Sequence, residues 1–126
     1  MRTIGLTIAA AAAGWISLAA ASPKEAPKWT QAKPAGEAVD CLPLRQIRRS
    51  EVRDERTIDF FTSGRRTYRN TLPNSCPGLS LERAFSYRTS LTQLCSVDII
   101  TVVSRTPGGP GASCGLGKFQ PVELPR

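Results

Sequence analysis

The residues Gly111-Ala-Ser-Cys-Gly115 match the G-x-S-x-G string that exposes a nucleophilic serine on a sharp turn between a strand and a helix in many hydrolases. Such a serine needs a general base, which is most often a histidine. The chain contains no histidine, and no lysine has a serine three positions before it. The sequence therefore argues against serine hydrolysis and against any imidazole chemistry. The Gly- and Pro-rich residues 106–117 around the motif predict a loop.

Three carboxylates, Asp54, Glu55 and Asp59, lie close enough in sequence to suggest the acid pair of a glycoside hydrolase. They lie among Arg53 and Arg56 on a predicted strand, and cross-strand ion pairs are the ordinary role of such a mixture. The chain also has no phosphate-binding glycine loop and no C-x-x-C redox pair. We predict no cofactor and no enzymatic activity; the alternative is a small hydrolase or redox enzyme whose site the sequence does not reveal.

Arginine is the feature that favours binding. Residues 45–69 hold eight arginines against four acidic side chains. A guanidinium donates two parallel hydrogen bonds to a phosphate, sulfate or carboxylate. No acidic residue lies between Asp59 and Glu82, so we predict that Arg65, Arg66 and Arg69 form an anion-binding group. The alternative is that the arginines keep strand edges soluble and pair with nearby carboxylates.

Four cysteines in a chain of this length predict two disulfides if the chain reaches an oxidising compartment. No two of them show the separation of two to four residues that zinc-chelating pairs have, so we expect no metal site. Four cysteines allow three pairings, and sequence alone does not choose among them. We expect the nested one, Cys76 with Cys95 inside Cys41 with Cys114, because it joins the start of the domain to its Gly-rich tail.

The first 21 residues have the features of a secretory signal peptide. Arg2 gives a positive start, residues 4–20 are uncharged and mainly apolar, and Ala19 with Ala21 gives the A-x-A pattern for cleavage after Ala21. A membrane anchor is the alternative, but glycines and alanines make the stretch only weakly hydrophobic. We predict a periplasmic or secreted protein with no stable transmembrane anchor, whose partners are anionic envelope glycans or lipid headgroups and not nucleic acid.

Residues 22–39 are rich in proline, lysine and alanine, and Trp29 is their only large aromatic residue. Burying one tryptophan does not offset the entropy lost on ordering this segment, so we predict a flexible leader. Residues 40–126 then form a single domain, as the length of 126 residues allows.

Within that domain, the β-prone runs Glu51–Phe61 and Arg65–Leu72 flank Thr62-Ser63-Gly64, where the glycine can take the positive φ of a hairpin turn. Successive side chains of a strand face opposite sides of the sheet, so we expect Ile58, Phe60, Tyr68 and Leu72 to face the core. The side chains expected to face water are Arg53, Glu55, Thr57, Asp59, Thr67 and Arg69. Further strands are predicted at residues 84–88, 95–104 and 119–124, with 95–104 central. Residues 42–49 are predicted as a strand, with one helical turn as the alternative.

Short antiparallel strands separated by turns predict a mainly β fold, a small barrel or sandwich of about five to six strands stapled by two disulfides. The alternative is an α+β roll with a helical turn at residues 80–85.

Six motifs stand out in the domain: Cys41-Leu-Pro-Leu-Arg-Gln-Ile-Arg, Val52-Arg-Asp-Glu-Arg-Thr-Ile-Asp-Phe, Tyr68-Arg-Asn, Cys76-Pro-Gly-Leu, Leu94-Cys-Ser-Val-Asp-Ile-Ile and Cys114-Gly-Leu-Gly-Lys-Phe. Together they resemble a family of small exported bacterial proteins catalogued only as a domain of unknown function. The resemblance covers residues 40–122 and implies an envelope protein with a four-cysteine layout. Some members resemble lipoproteins, whereas this chain has no cysteine at the predicted cleavage point. The resemblance carries over no catalytic residue.

Overall fold

The computed structural model describes residues 26–89, 91–105 and 107–126, together with Gly5, Ala12 and Gly14. The predicted signal peptide therefore lies almost wholly outside the described residues. Within the described part of the chain, no helix has both the length and the hydropathy needed to cross a bilayer.

The fold is mainly β, with antiparallel sheets of five, two and three strands and two disulfides, as predicted. In chain order the elements are a 3-10 helix (Lys28–Gln31), β1 (Lys33–Pro34), β2 (Cys41–Pro43), a second 3-10 helix (Leu44–Gln46), β3 (Ile47–Val52), β4 (Thr57–Thr62), β5 (Thr67–Thr71), α1 (Leu79–Glu82), β6 (Phe85–Tyr87), β7 (Gln93–Cys95), β8 (Ile99–Val102), β9 (Ser113–Gly115) and β10 (Phe119–Glu123). The five-stranded sheet has the order β1-β10-β5-β4-β3, the two-stranded sheet pairs β2 with β7, and the three-stranded sheet has the order β6-β8-β9.

The strands are more numerous than expected because turns interrupt the predicted runs. The run 51–61 is divided by a turn in which the Arg53 N–H donates to the Thr57 carbonyl at 2.8 Å. The run 95–104 is divided between β7 and β8, of which only β8 is central in its sheet. Residues 42–49 span the end of β2, a 3-10 helix and the start of β3, and the predicted loop 106–117 contains β9.

The predicted hairpin is present as β4 and β5. Gly64 (φ 85°) and Arg65 (φ 63°) both take left-handed conformations at its turn. The Thr62 N–H closes the turn by donating to the Arg66 carbonyl at 2.9 Å. The inward prediction is confirmed for Ile58 and Phe60, whose side chains are fully buried.

Aromatic edge contacts join the sheets in the core. The centroid of the Phe60 ring lies 5.4 Å from that of Phe119 in β10 and 6.1 Å from that of Phe85 in β6, and both contacts are edge-on. Leu72 is fully buried in the same core, and the half-buried Tyr68 packs against it, as predicted. This core holds the five-stranded sheet against the three-stranded one.

The nested disulfide pairing is wrong: the bridges are Cys41–Cys95 and Cys76–Cys114. The register of β2 with β7 places Cys41 directly opposite Cys95, so these two sulfurs meet. Cys76 is buried just before α1 and reaches Cys114 in β9. Two disulfides indicate an oxidising, extracytoplasmic environment.

Part of the segment expected to be a flexible leader is paired with the sheet. Lys33 and Pro34 form β1 against β10, and the Ala35 and Val39 N–H groups donate to the Pro121 and Phe119 carbonyls at 2.9 and 2.8 Å. The sheet therefore begins before Asp40, where we placed the start of the domain. Backbone hydrogen bonds to β10 hold this segment. The expectation of flexibility considered only the burial of one tryptophan and left these hydrogen bonds out.

Candidate anion-binding site

The centre of the outer sheet face is a buried ion cluster, where the sequence predicted solvated charges. Asp59 on β4 has no exposed surface. Its carboxylate accepts hydrogen bonds from Arg69 Nε at 2.8 Å, Arg69 Nη2 at 2.9 Å and Arg53 Nε at 2.9 Å. The prediction that Asp59 faces water is wrong, because these two guanidiniums cover its carboxylate. The expected cross-strand ion pair is present, since Asp59 lies opposite Arg69 in the β4–β5 register.

Arg69 is engaged on both sides. Besides its bidentate pair with Asp59, its guanidinium carbon lies 5.7 Å from the centroid of the Trp29 ring in the first 3-10 helix. An aromatic face near a guanidinium is a favourable cation–π arrangement. Arg69 is therefore committed to intramolecular contacts, and it does not stand with Arg65 and Arg66 as a free anion ligand.

Two further arginines of the segment 45–69 are also engaged. The Arg49 guanidinium lies 3.9 Å above the Phe61 ring and pairs with Glu51 at 3.4 Å. Arg56 donates to the Leu72 and Pro73 carbonyls at 3.1 and 3.3 Å. The alternative expectation, that arginines pair with nearby carboxylates, describes Arg49, Arg53 and Arg69. Arg56 instead donates to backbone carbonyls.

The other four arginines are exposed, and among the residues that the structure describes none of their side chains has an ion pair or hydrogen bond: Arg45, Arg48, Arg65 and Arg66. The strand register brings all four to one end of the five-stranded sheet. Ile47 lies opposite Thr62, and the Ser63 N–H at the hairpin turn donates to the Gln46 carbonyl at 2.8 Å. We call this set the basic rim.

A small groove adjoins one side of the basic rim. It has a volume of about 210 Å³, and Arg65 and Arg66 line it together with the ends of β5 and β10. Glu123 is the acidic residue in its wall. The sequence pattern identified Arg65 and Arg66 but not Arg45 and Arg48, because their proximity to the hairpin turn depends on the β3–β4 register.

A larger cavity adjoins the other side of the rim. It has a volume of about 550 Å³ and is lined by Pro43, Leu44, Arg45, Leu91, Thr92 and Gln93. The β2–β7 pairing positions its walls, since the Leu44 N–H donates to the Thr92 carbonyl at 2.9 Å. Arg45 is the charged residue among those that line it.

The G-x-S-x-G string does not form a nucleophile turn. Ser113 lies in β9, its hydroxyl oxygen is 3.0 Å from that of Thr101 on β8, and Cys114 is in a disulfide. Over the described part of the chain, no three side chains of His, Cys, Asp or Glu are grouped so as to hold a metal ion.

Comparison with known proteins gives no match to a family model, to a curated protein or to a solved structure. The resemblance to the four-cysteine exported family therefore stays a prediction from the six motifs. The basic rim and the cavities beside it are the features of the structure that bear on function.

Proposed function

We propose that the protein is an exported, non-enzymatic module that binds anionic glycans or lipid headgroups of the cell envelope through the basic rim. The observation that carries the proposal is the clustering of four exposed arginines, none of which has a carboxylate partner among the described residues. Neighbouring positive charges repel one another, and a bound polyanion replaces that repulsion with bidentate hydrogen bonds.

The export part of the proposal rests on two supports. The two disulfides need an oxidising compartment, and residues 1–21 have the charge and hydropathy pattern of a signal peptide. We expect the mature chain, periplasmic or secreted, to begin at Ser22. Intact-mass measurement of the protein from an envelope or culture fraction tests this, and a chain that keeps Arg2 with four free thiols contradicts it.

Binding to the basic rim should depend strongly on salt, because the four guanidiniums are exposed and their fields are screened over about 8 Å at physiological ionic strength. We expect retention on a sulfated polysaccharide, or on vesicles with anionic headgroups, to weaken steadily as sodium chloride is added. Affinity that does not change with salt contradicts a rim that acts by charge.

A pair of double variants tests which arginines act. Arg65→Gln with Arg66→Gln removes half of the rim, and we expect it to weaken polyanion binding at least tenfold, which corresponds to about 1.4 kcal/mol for the two contacts. Arg88→Gln with Arg105→Gln is the matched control, since it removes the same charge from exposed positions outside the rim. Equal losses in the two double variants would show that net charge, and not the rim, attracts the ligand.

A further inference from the structure

The larger cavity beside the basic rim is lined by apolar side chains and by side chains that donate hydrogen bonds. Pro43, Leu44 and Leu91 supply the apolar wall. Arg45, Thr92 and Gln93 supply a guanidinium, a hydroxyl and an amide, all of which are hydrogen-bond donors. Its volume of about 550 Å³ lies within the range of small-ligand pockets.

Leu91 is the part of this wall that the fold itself does not explain. Its side chain is 66% exposed, although Leu44 beside it packs against the core. An exposed leucine in the wall of a concave site gives an apolar ligand group surface to cover, and that burial is favourable.

Arg45 determines the charge of the occupant. Its guanidinium is exposed and pairs with no carboxylate in residues 26–89, 91–105 and 107–126. A phosphate monoester has three terminal oxygens for the three donor side chains that line the cavity, whereas a carboxylate has two. A phosphate is therefore the anionic group best suited to Arg45 and these neighbours.

We propose that the cavity binds an alkyl phosphate, with the phosphate on Arg45 and the aliphatic chain against Pro43, Leu44 and Leu91. This inference rests on the proposed function, because Arg45 belongs to the basic rim, and it adds that the anion carries an apolar chain. A lipid headgroup region and a free phosphate ester both present this chemistry.

Calorimetric titration of the intact, oxidised protein with hexyl phosphate, inorganic phosphate and hexanol tests the combination. We expect hexyl phosphate to bind at least tenfold more tightly than either of the other two, because only it satisfies Arg45 and also buries a chain. Binding of inorganic phosphate as tightly as hexyl phosphate would overturn the proposal, since the apolar wall would then contribute nothing.

Two matched pairs of variants locate the site. Arg45→Gln and Leu91→Gln should each weaken hexyl phosphate binding at least tenfold. Arg88→Gln and Leu81→Gln should leave it unchanged, since both are exposed and neither lines this cavity. If each control weakens binding as much as its partner in the cavity, the proposal is wrong. All four side chains are exposed, so the fold should tolerate the changes.

Vesicles distinguish the two sources of the alkyl phosphate. If the protein binds phosphatidate vesicles and Leu91→Gln weakens that binding, the occupant is a membrane lipid. If the protein binds hexyl phosphate but not the vesicles, the occupant is a free ester.

The failure of this inference is also distinct from that of the proposed function. Polyanion binding that needs Arg65 and Arg66, with no preference for hexyl phosphate over inorganic phosphate, overturns the inference alone.

Discussion

Replacing Asp59 by asparagine should destabilise the protein more than any other conservative change of a charged residue in the ion cluster. The carboxylate is fully buried and accepts three hydrogen bonds from two guanidiniums. Asparagine keeps the size of the side chain but removes the negative charge. Arg53 and Arg69, which are only 17% and 15% exposed, then lose the charge that offsets their desolvation.

The magnitude follows from this geometry. Removing one partner of a buried ion pair destabilises a protein by about 3 to 5 kcal/mol. Arg53 keeps Glu51 at 3.2 Å, and both arginines retain some solvent, so the lower end of that range applies here. We expect a loss of about 3 kcal/mol in the free energy of unfolding. With a urea dependence of about 2 kcal/mol per M, the midpoint should fall by roughly 1.5 M.

Urea unfolding followed by circular dichroism, with both disulfides intact, measures this loss. Glu51→Gln is the matched control, because it also removes one carboxylate from the cluster but at a site that is 46% exposed. Exposed pairs contribute about 0 to 1 kcal/mol, so its midpoint should fall by at most about 0.5 M. If Asp59→Asn shifts the midpoint no more than Glu51→Gln, the cluster does not stabilise the sheet as argued.

Three further predictions concern the glycine contacts, a buried amide and the disulfides. Gly117→Ala should lower the free energy of unfolding by about 3 kcal/mol or more, because its Cβ would lie 2.3 Å from a β5 carbonyl oxygen. Gly115→Ala is the matched control. It should change this free energy by less than about 0.5 kcal/mol, because the space around its Cβ position is open. Asn70→Ala should cost about 2 to 3 kcal/mol in the same assay, since its buried amide donates to the Gly117 carbonyl at 2.7 Å and accepts from the Gly117 N–H at 2.8 Å; no loss would contradict that role. Non-reducing peptide mapping should recover a Cys76–Cys114 peptide, and recovery of a nested pair would contradict the structure.

Local patterns were sufficient for the elements built from consecutive residues. The hairpin of β4 and β5 follows from two alternating runs around Gly64, and that alternation also identifies Ile58 and Phe60 as core residues. The last strand, β10, was predicted at residues 119–124 and is observed at Phe119–Glu123. In each case the evidence lies within a few residues of the element.

Features that depend on distant pairing were not predictable. Alternation assigns Asp59 to the outer face, but it does not show that Arg53, Arg69 and Trp29 come together there. The same limit applies to the basic rim, where Arg45 joins the hairpin turn only through the β3–β4 register. Long-range register is determined by the whole core, and short sequence windows do not contain it.

The two disulfides interlace along the chain, since each one encloses a single cysteine of the other. In the proposed export, which would start from the N-terminus, Cys41 would emerge first and Cys76 second, yet these two do not pair in the structure. An oxidase that joins thiols in order of emergence would therefore make a wrong bridge between them. Native pairing then requires either that the chain folds before Cys41 and Cys76 are oxidised or that thiol–disulfide exchange replaces the first bridge by the native ones.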